Sequence, residues 1–134
     1  MPDLFNQDEE SAVQPQVIDL GQGAFHIKHL APSQLFRLLV DHVTACAPLR
    51  QMMTPMGHPM KVSNTNCGQY GWVSDRSGYR YCAIDPISKR PWPCIPAEFL
   101  QLHKYACELV GLPVFTPDAC LINHYKIGHS MGKH

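Results

Sequence analysis

Two stretches of the chain repeat apolar residues at helical spacing. The first begins at Ser33, a favoured N-cap residue, and continues until Pro48 prevents further helix. Its apolar positions are Phe36, Leu39, Val40, Val43 and Ala47. The second opens near Pro96, ends at Gly111 before Pro113, and so predicts another helix. Its apolar positions are Phe99, Leu102, Ala106 and Leu109. We expect both amphipathic helices to pack against a sheet.

Alternating patterns predict strands near both ends of the chain. Residues 13–18 and 24–28 favour β structure, and Gly21 and Gly23 between them suit a turn. Residues 119–125 also alternate in strand fashion. One face of this last strand would carry Leu121, Asn123 and Tyr125, and the other would carry Cys120, Ile122 and His124. The first of these faces is therefore a candidate polar wall.

The middle of the chain, residues 48–97, has a different composition. It is rich in Pro, Gly, Asn, Ser, Tyr and Trp and alternates only in places, which predicts short strands joined by long loops. The densest aromatic cluster of the chain lies here, with basic residues interleaved: Tyr70, Trp72, Tyr79, Tyr81 and Trp92. A surface of aromatic rings and arginines is one way to hold nucleic-acid bases.

Length and charge restrict the possibilities further. A chain of 134 residues, 45% of them hydrophobic, can bury one modest core, so we expect one domain or part of one. The formal net charge is zero, which gives no general attraction to polyanions. Acidic residues dominate the start of the chain, and we expect residues 1–12 to be a loose acidic N-terminus. Residues 50–90 carry six basic and two acidic residues, so any polyanion would bind there.

Several classes of protein are disfavoured by the sequence. The N-terminus has no apolar signal region and no later window resembles a membrane span, so we expect a cytoplasmic protein without membrane contact. The six cysteines form no Cys-x-x-Cys pair, which disfavours a zinc ribbon or a redox motif. We expect reduced cysteines, most of them small core residues. The chain also lacks the Gly-rich phosphate loops of dinucleotide and P-loop enzymes.

Several short motifs follow one another in a definite order along the chain. They are RQMMTP at 50–55, TNCGQYGW at 65–72, GYRY at 78–81, IDP at 84–86, PWP at 91–93 and PDACLINHY at 117–125, followed by a Gly-containing turn and His134. Together these motifs resemble the AlkB family, which are Fe(II)- and 2-oxoglutarate-dependent dioxygenases that dealkylate nucleic acids. Several blocks in the same order make a chance similarity unconvincing.

The resemblance implies an α+β fold. Residues 13–134 would be the N-terminal part of an AlkB-like dioxygenase domain, a partial double-stranded β-helix, or jelly roll, with two packing helices. A nucleotide-recognition lid would occupy about residues 48–97. His134 would be the last residue of this fragment and the first iron ligand of the family's centre.

The resemblance also implies a cofactor set of Fe(II), 2-oxoglutarate as cosubstrate, and O2. Leu121, Asn123 and Tyr125 match positions that line the 2-oxoglutarate site, and His134 matches a catalytic iron ligand. In the family two imidazoles and one carboxylate hold the iron and leave room for the cosubstrate and dioxygen. The other ligands would follow position 134, so we expect the complete site to be absent from this chain.

Substrate contacts are implied at two aromatic residues. Trp72 and Tyr79 match residues that flank or stack on the damaged base once it is flipped out of the helix. Aromatic faces suit a cationic alkylated base. Asn64 stands where the best-known family member has an apolar sulfur-containing base contact. The residues alone leave simpler interpretations open: Trp72 as a core residue, Leu121 as plain core, and Asn123 and Tyr125 satisfying each other.

For the full-length protein the implied function is DNA repair by oxidative dealkylation of N-alkylated bases. Its partner would be alkylated single-stranded DNA, with duplex DNA and RNA as alternatives, and we expect a monomer. Oxidation of 2-oxoglutarate to succinate and carbon dioxide would accompany hydroxylation of the N-alkyl carbon. We expect this chain to be inactive as it stands. The alternative is a non-catalytic remnant that binds single-stranded nucleic acid, or a truncated product without function.

Overall fold

A computed structural model of the chain describes residues 13–131. These residues mix helices and strands, which confirms the α+β composition. The elements in chain order are β1 (Gln16–Gly21), β2 (Ala24–Lys28), α1 (Ser33–Cys46), β3 (Ser63–Gly68), β4 (Gly71–Asp75), β5 (Gly78–Cys82), α2 (Ala97–Val110) and β6 (Ala119–His124). Within the described range the strands form three two-stranded antiparallel sheets, β1 with β2, β3 with β6 and β4 with β5. The partial jelly roll and the lid remain predictions, since these sheets are small and separate.

The described residues divide into two compact units. The first contains residues 13–39 and 96–116, and the second contains residues 40–95 and 117–131. The acidic N-terminus predicted at residues 1–12, and His134, lie outside the described residues. No helix within residues 13–131 is long and apolar enough to cross a membrane.

The first unit contains the β1–β2 hairpin. Gly21 and Gly23 have φ angles of 84° and 80°, and Gln22 between them also has a positive φ of 56°. The Gly21 N–H donates to the Asp19 carboxylate at 2.7 Å. Glycine reaches this left-handed region without steric penalty, which explains why the chain turns where the sequence predicts.

Helix α2 begins and ends where the sequence predicts. Pro96 occupies the N-cap position, and Gly111 forms a left-handed C-cap with φ 72°. The expected burial is wrong for Leu109, which is 37% exposed. Cys107 is buried instead. The segment after the helix packs on the helix face that carries His103 and Cys107: the ring centroids of Phe115 and His103 are 4.4 Å apart in an edge-on contact, and His103 lies 3.6 Å from the Cys107 sulfur. Leu109, two residues beyond Cys107, lies on a different face of the helix.

Helix α1 also agrees with its predicted bounds, and Leu39, Val43 and Ala47 are buried as expected. Phe36 is the exception, because it is 50% exposed. Its ring lies 6.1 Å from that of Phe99 in the same unit. That tilted contact covers only part of the ring.

One cluster in the core of the second unit consists of Ala47, Val73 and Trp92, with Cys82 packed against it. Trp92 is 4% exposed and its indole N–H donates to the Cys82 carbonyl oxygen at 2.9 Å. Trp92 is therefore a core residue and does not belong to the aromatic surface that the sequence suggested. A buried indole with its N–H satisfied is a stable arrangement.

Strand β3 is the least conventional element of this unit, because its buried side chains are mostly polar. Asn64, Thr65 and Asn66 are at most 1% exposed. A buried polar group destabilises a protein unless it is hydrogen-bonded. Thr65 donates its hydroxyl to the Ala47 carbonyl oxygen at 2.7 Å. The two asparagines have partners that belong to the candidate site.

Candidate functional site

The two residues predicted to contact a base lie together on the β4–β5 hairpin. The rings of Trp72 and Tyr79 are stacked, with centroids 5.6 Å apart and an interplanar angle of 21°. Trp72 pairs directly with Tyr81 in the ladder, so its stacking on Tyr79 is a diagonal contact. Tyr79 is 66% exposed, whereas Trp72 is half-buried. The pair therefore has a fixed inner ring and an accessible outer ring.

Asn66 on β3 fixes the main chain at Trp72. Its carboxamide oxygen accepts from the Trp72 N–H at 2.9 Å, and its NH2 group donates to the Trp72 carbonyl oxygen at 3.0 Å. Both peptide groups are thereby satisfied. Asn66 belongs to the TNCGQYGW motif, but the motif does not reveal this role, since the contact depends on the approach of two strands.

An exposed ion pair lies at the tip of the same hairpin. The Arg80 guanidinium donates to both carboxylate oxygens of Asp75 at 2.8 Å. The Ser77 N–H also donates to Asp75, at 2.9 Å. The hydrogen bond from Arg80, helped by that from Ser77, lowers the pKa of Asp75. Arg80 is thus engaged within the hairpin.

A second ion pair, between Arg50 and Asp85, is buried. Arg50 donates to both oxygens of Asp85 at 2.6 and 2.8 Å, and Asp85 is fully buried. The Arg50 guanidinium also lies 5.2 Å from the centre of the Trp92 ring. Burial by itself would raise the pKa of Asp85, but the hydrogen bonds from Arg50 and the Ile87 N–H outweigh it and lower that pKa. Arg50 therefore has a structural partner.

The remaining basic residues of the middle segment are accessible. Lys61, Arg76, Lys89 and Arg90 are all exposed. Because Asp75 and Asp85 are each paired with an arginine, these four cations account for the positive excess counted in the sequence. They can attract a phosphate backbone locally although the whole chain is neutral.

The predicted cosubstrate residues lie on or just after β6. Leu121 and Asn123 are both exposed, whereas Ile122 between them is buried, so the two share a face. They pair in register with Asn66 and Asn64 of β3. Tyr125 is exposed and lies one residue beyond the strand end. The structure thus brings Leu121 and Asn123 together, while no ladder position fixes Tyr125.

Asn64 is a further residue of this face. Its NH2 group donates to the Asn123 carboxamide oxygen at 2.6 Å. Asn64 is completely buried. The sequence signal for the place of Asn64 on this face is the pair of asparagines at alternate positions of β3, Asn64 and Asn66. Polar side chains two residues apart on a strand share a face.

Two cysteines face each other on the opposite face of the same strand pair. Cys67 of β3 and Cys120 of β6 are register partners. The hydrogen bond between the thiols, together with burial, raises the pKa of Cys67. All six cysteines are free, but only Cys67 and Cys107 are buried. Cys82 and Cys120 are half-buried, and Cys46 and Cys94 are exposed. The expectation that most cysteines are core residues is therefore wrong, since two of the six are fully buried.

The described residues do not form a complete iron site. Nowhere between positions 13 and 131 do three His, Cys, Asp or Glu side chains come together in a way that could hold a metal ion. Two imidazoles and one carboxylate, the usual ferrous set in such oxygenases, are therefore not assembled by these residues. His134 lies outside them.

Comparison with known families identifies the superfamily of the chain. Residues 23–134 match the model of the 2OG-Fe(II) oxygenase superfamily. The chain belongs to this superfamily. AlkB-type members of the superfamily use Fe(II), 2-oxoglutarate and O2.

Individual relatives within the superfamily confirm the resemblance to AlkB. The alpha-ketoglutarate-dependent dioxygenase AlkB of Escherichia coli strain K12 is 40% identical over 136 residues, which cover 100% of this chain and 61% of that protein. An AlkB homolog of Caulobacter vibrioides is 42% identical over 101 residues, 73% of this chain and 44% of the homolog. The chain therefore spans 61% of the length of the first of these relatives.

Proposed function

We propose that the protein containing this chain removes alkyl groups from N-alkylated bases of single-stranded DNA by Fe(II)- and 2-oxoglutarate-dependent oxidation. The observation that supports this most directly is the stacked Trp72 and Tyr79 pair with its accessible outer ring. Residues 48–97 would be the lid that receives the base. Residues 13–134 would contribute the first part of a jelly-roll domain, acting as a monomer in the cytoplasm.

Base binding would rely on the outer face of Tyr79, backed by Trp72. A flipped-out base has two flat faces, and stacking on an aromatic ring stabilises it by about 1–3 kcal/mol. An alkylated base that carries a positive charge is attracted further to the ring face. The exposed cations Lys61, Arg76 and Arg90 would hold the flanking phosphates.

Cosubstrate binding would use the exposed face of β6. The Asn123 carboxamide can donate to a carboxylate, Leu121 offers apolar contact to the carbon chain, and Tyr125 supplies a hydroxyl. These donor types fit a keto-acid with two carboxylates. His134 would be the first ligand of Fe(II), and the bound metal would activate O2. 2-Oxoglutarate would lose carbon dioxide and gain one oxygen atom to become succinate, and the other oxygen atom would go to the alkyl carbon, which leaves as an aldehyde.

A binding experiment on the whole chain tests the base platform that Trp72 and Tyr79 would form. Tyr79→Ala should weaken binding of a methylated single-stranded oligonucleotide by roughly tenfold or more, because one stacking surface is lost. Tyr81→Ala is a matched control: Tyr81 is on the same strand and is also 66% exposed, but it does not stack on Trp72. Equal losses for the two variants, or none for Tyr79→Ala, would contradict the proposal.

A turnover assay separates this function from that of a non-catalytic binder. The protein is incubated with Fe(II), 2-oxoglutarate and the methylated oligonucleotide, and succinate and repaired base are measured together. Equimolar succinate, aldehyde and repaired base support the dealkylase. Binding that depends on Tyr79 without any of these products would instead support the non-catalytic alternative.

A further inference from the structure

The side chains of Asn64 and Asn123 meet at a particular kind of ladder position. The Asn64 N–H and carbonyl oxygen both bond to Arg50, at 2.8 and 3.0 Å, on the edge of β3 away from β6. The pairing of Asn64 with Asn123 is therefore of the non-hydrogen-bonded type. In such pairs the Cα atoms approach to about 4.5 Å and the side chains come closest. The two carboxamides are held against each other by the backbone.

Burial determines which end of the Asn64 carboxamide meets Asn123. Its NH2 group donates to the Asn123 oxygen at 2.6 Å, whereas its own oxygen is buried and has no partner among the described residues. Turning the carboxamide over would leave the NH2 group, with two N–H donors, unpaired in the same place. Orphaned buried N–H groups are rarer than under-satisfied carbonyl oxygens. Asn64 therefore presents a donor to Asn123.

This arrangement determines what Asn123 can offer to a ligand. Its oxygen is occupied by Asn64, so the NH2 group is the end that remains for other partners. Asn123 is exposed, and its NH2 group carries two donors and no acceptor. The NH2 group can donate hydrogen bonds to an anion such as a carboxylate, whereas the carbonyl oxygen of the carboxamide would repel it.

We propose that Asn64 is a positioning residue that sets the Asn123 carboxamide so that its NH2 group faces a carboxylate of the cosubstrate. The assignment of the ligand rests on the proposed function, in which Asn123 lines the 2-oxoglutarate site. An apolar residue at position 64 would leave the Asn123 carboxamide free to rotate. An acceptor at position 64 would reverse the orientation of that carboxamide. Asn64 thereby tunes the affinity for the keto-acid without touching it.

Side-chain amide signals in NMR spectra of the ¹⁵N-labelled whole chain test the orientation directly. The Asn123 signals are identified by their loss in Asn123→Ala. Asn64→Asp places an acceptor opposite Asn123, so one Asn123 N–H should move downfield and exchange more slowly with water. Asn64→Leu, of similar volume and without polar atoms, should leave both N–H protons in rapid exchange. Asn64→Leu also serves as the folded reference if the buried carboxylate of Asn64→Asp prevents folding.

Titration with 2-oxoglutarate at millimolar concentration tests the ligand. The Asn123 NH2 signals of the unsubstituted chain should shift, Asn64→Leu should weaken binding a few-fold, and Asn64→Asp should weaken it by about tenfold or more, since a hydrogen bond to a charged group is lost. In an Asn123→Ala background the Asn64→Leu effect should disappear. This double-variant comparison isolates the action of Asn64 through Asn123.

Two results would overturn the inference. One is a set of ligand-free Asn123 signals that are the same in Asn64→Asp and Asn64→Leu as in the unsubstituted chain. The other is an equal loss of 2-oxoglutarate affinity from Asn64→Leu with and without Asn123. Failure of 2-oxoglutarate to move any β6 signal would count against the proposed function, while the ligand-free spectra would still decide whether Asn64 orients Asn123.

Discussion

The carboxamide of Asn66 brackets the peptide groups of Trp72, accepting from its N–H at 2.9 Å and donating to its carbonyl oxygen at 3.0 Å. Trp72 in turn stacks on Tyr79, and the two rings form the candidate base platform. The buried side chain of Asn66 therefore holds the exposed ring of Tyr79 in place through Trp72. The platform therefore depends on β3 as much as on its own hairpin.

We predict that Asn66→Ala destabilises the protein and loosens the platform. Two peptide groups of Trp72 lose their partner, and a buried group left unsatisfied costs about 1–3 kcal/mol. Urea denaturation measures the loss, and tryptophan fluorescence, to which Trp72 and Trp92 both contribute, should shift to the red as more water reaches the Trp72 indole. Gln69→Ala, at an exposed position after the same strand, is the control and should leave the denaturation midpoint unchanged. A midpoint equally unaffected by Asn66→Ala would refute the bracketing role.

Asp85→Asn should be among the most damaging single substitutions in the second unit. It leaves Arg50 without its carboxylate, and removing one partner of a buried ion pair costs about 3–5 kcal/mol. Thermal unfolding should show a much lower midpoint. Asp75→Asn breaks an ion pair of the same geometry that is exposed, and water should compensate for most of that loss. If the two variants melt alike, burial of the Arg50 and Asp85 pair does not make it more stabilising than the exposed pair.

The same carboxylate predicts how stability depends on pH. The folded-state pKa of Asp85 is lowered, so its contribution is complete above the unfolded pKa of about 3.9 and is lost as pH falls through the folded value. The free energy of unfolding should therefore drop below about pH 4. That part of the drop should be absent in Asp85→Asn, which has no carboxyl group to titrate. Parallel pH curves for the two proteins would exclude Asp85 as the source.

Gly71→Ala should disturb the core because no room exists for a methyl group. A Cβ at this position would lie 2.3 Å from Trp92 Cε2 and 2.4 Å from its Nε1. Overpacking of this kind typically costs about 1–3 kcal/mol. The backbone at Gly71 does not require a left-handed conformation, so the effect should come from the clash alone. In a Trp92→Leu background the added methyl should cost less, and an undiminished penalty there would point to another cause.

Thiol reactivity should follow burial and hydrogen bonding. Iodoacetamide should label the exposed Cys46 and Cys94 first and Cys67 last, because Cys67 is buried and its raised pKa keeps it protonated at neutral pH. Mass spectrometry of timed digests gives the order. Labelling in denaturant, where all six should react alike, is the control. Early modification of Cys67 in the native protein would contradict its placement.

The helices could be predicted from sequence because their signals are local. Pro96 and Gly111 determine the limits of α2 whatever surrounds it, and the structure agrees to within a residue. Strand β3 lacked such a signal, since its buried face consists of asparagine and threonine side chains. Their burial is possible only because Trp72, Asn123 and Ala47 satisfy them. These partners lie at very different distances along the chain, and no pattern within a strand encodes them.

The candidate site, too, could be predicted from the sequence only in part. Alternation alone placed Leu121 and Asn123 on one face, and motif resemblance identified Trp72 and Tyr79. The partners that hold these residues, Asn64 and Asn66, emerged only from the register of β3 with β6 and its approach to β4. Supporting contacts are made between strands, whereas sequence patterns describe one strand at a time.

The pairing of Asn64 with Asn123 joins positions 59 residues apart. During synthesis the ribosome must therefore release β6 before the buried asparagine of β3 finds its partner, and every shorter nascent chain leaves that edge open. Distant contacts of this kind slow folding because a long loop must close first. The face of β3 and β6 that carries Asn64 and Asn123 should consequently be the last part of the second unit to form, and the part most exposed to chaperones while translation continues.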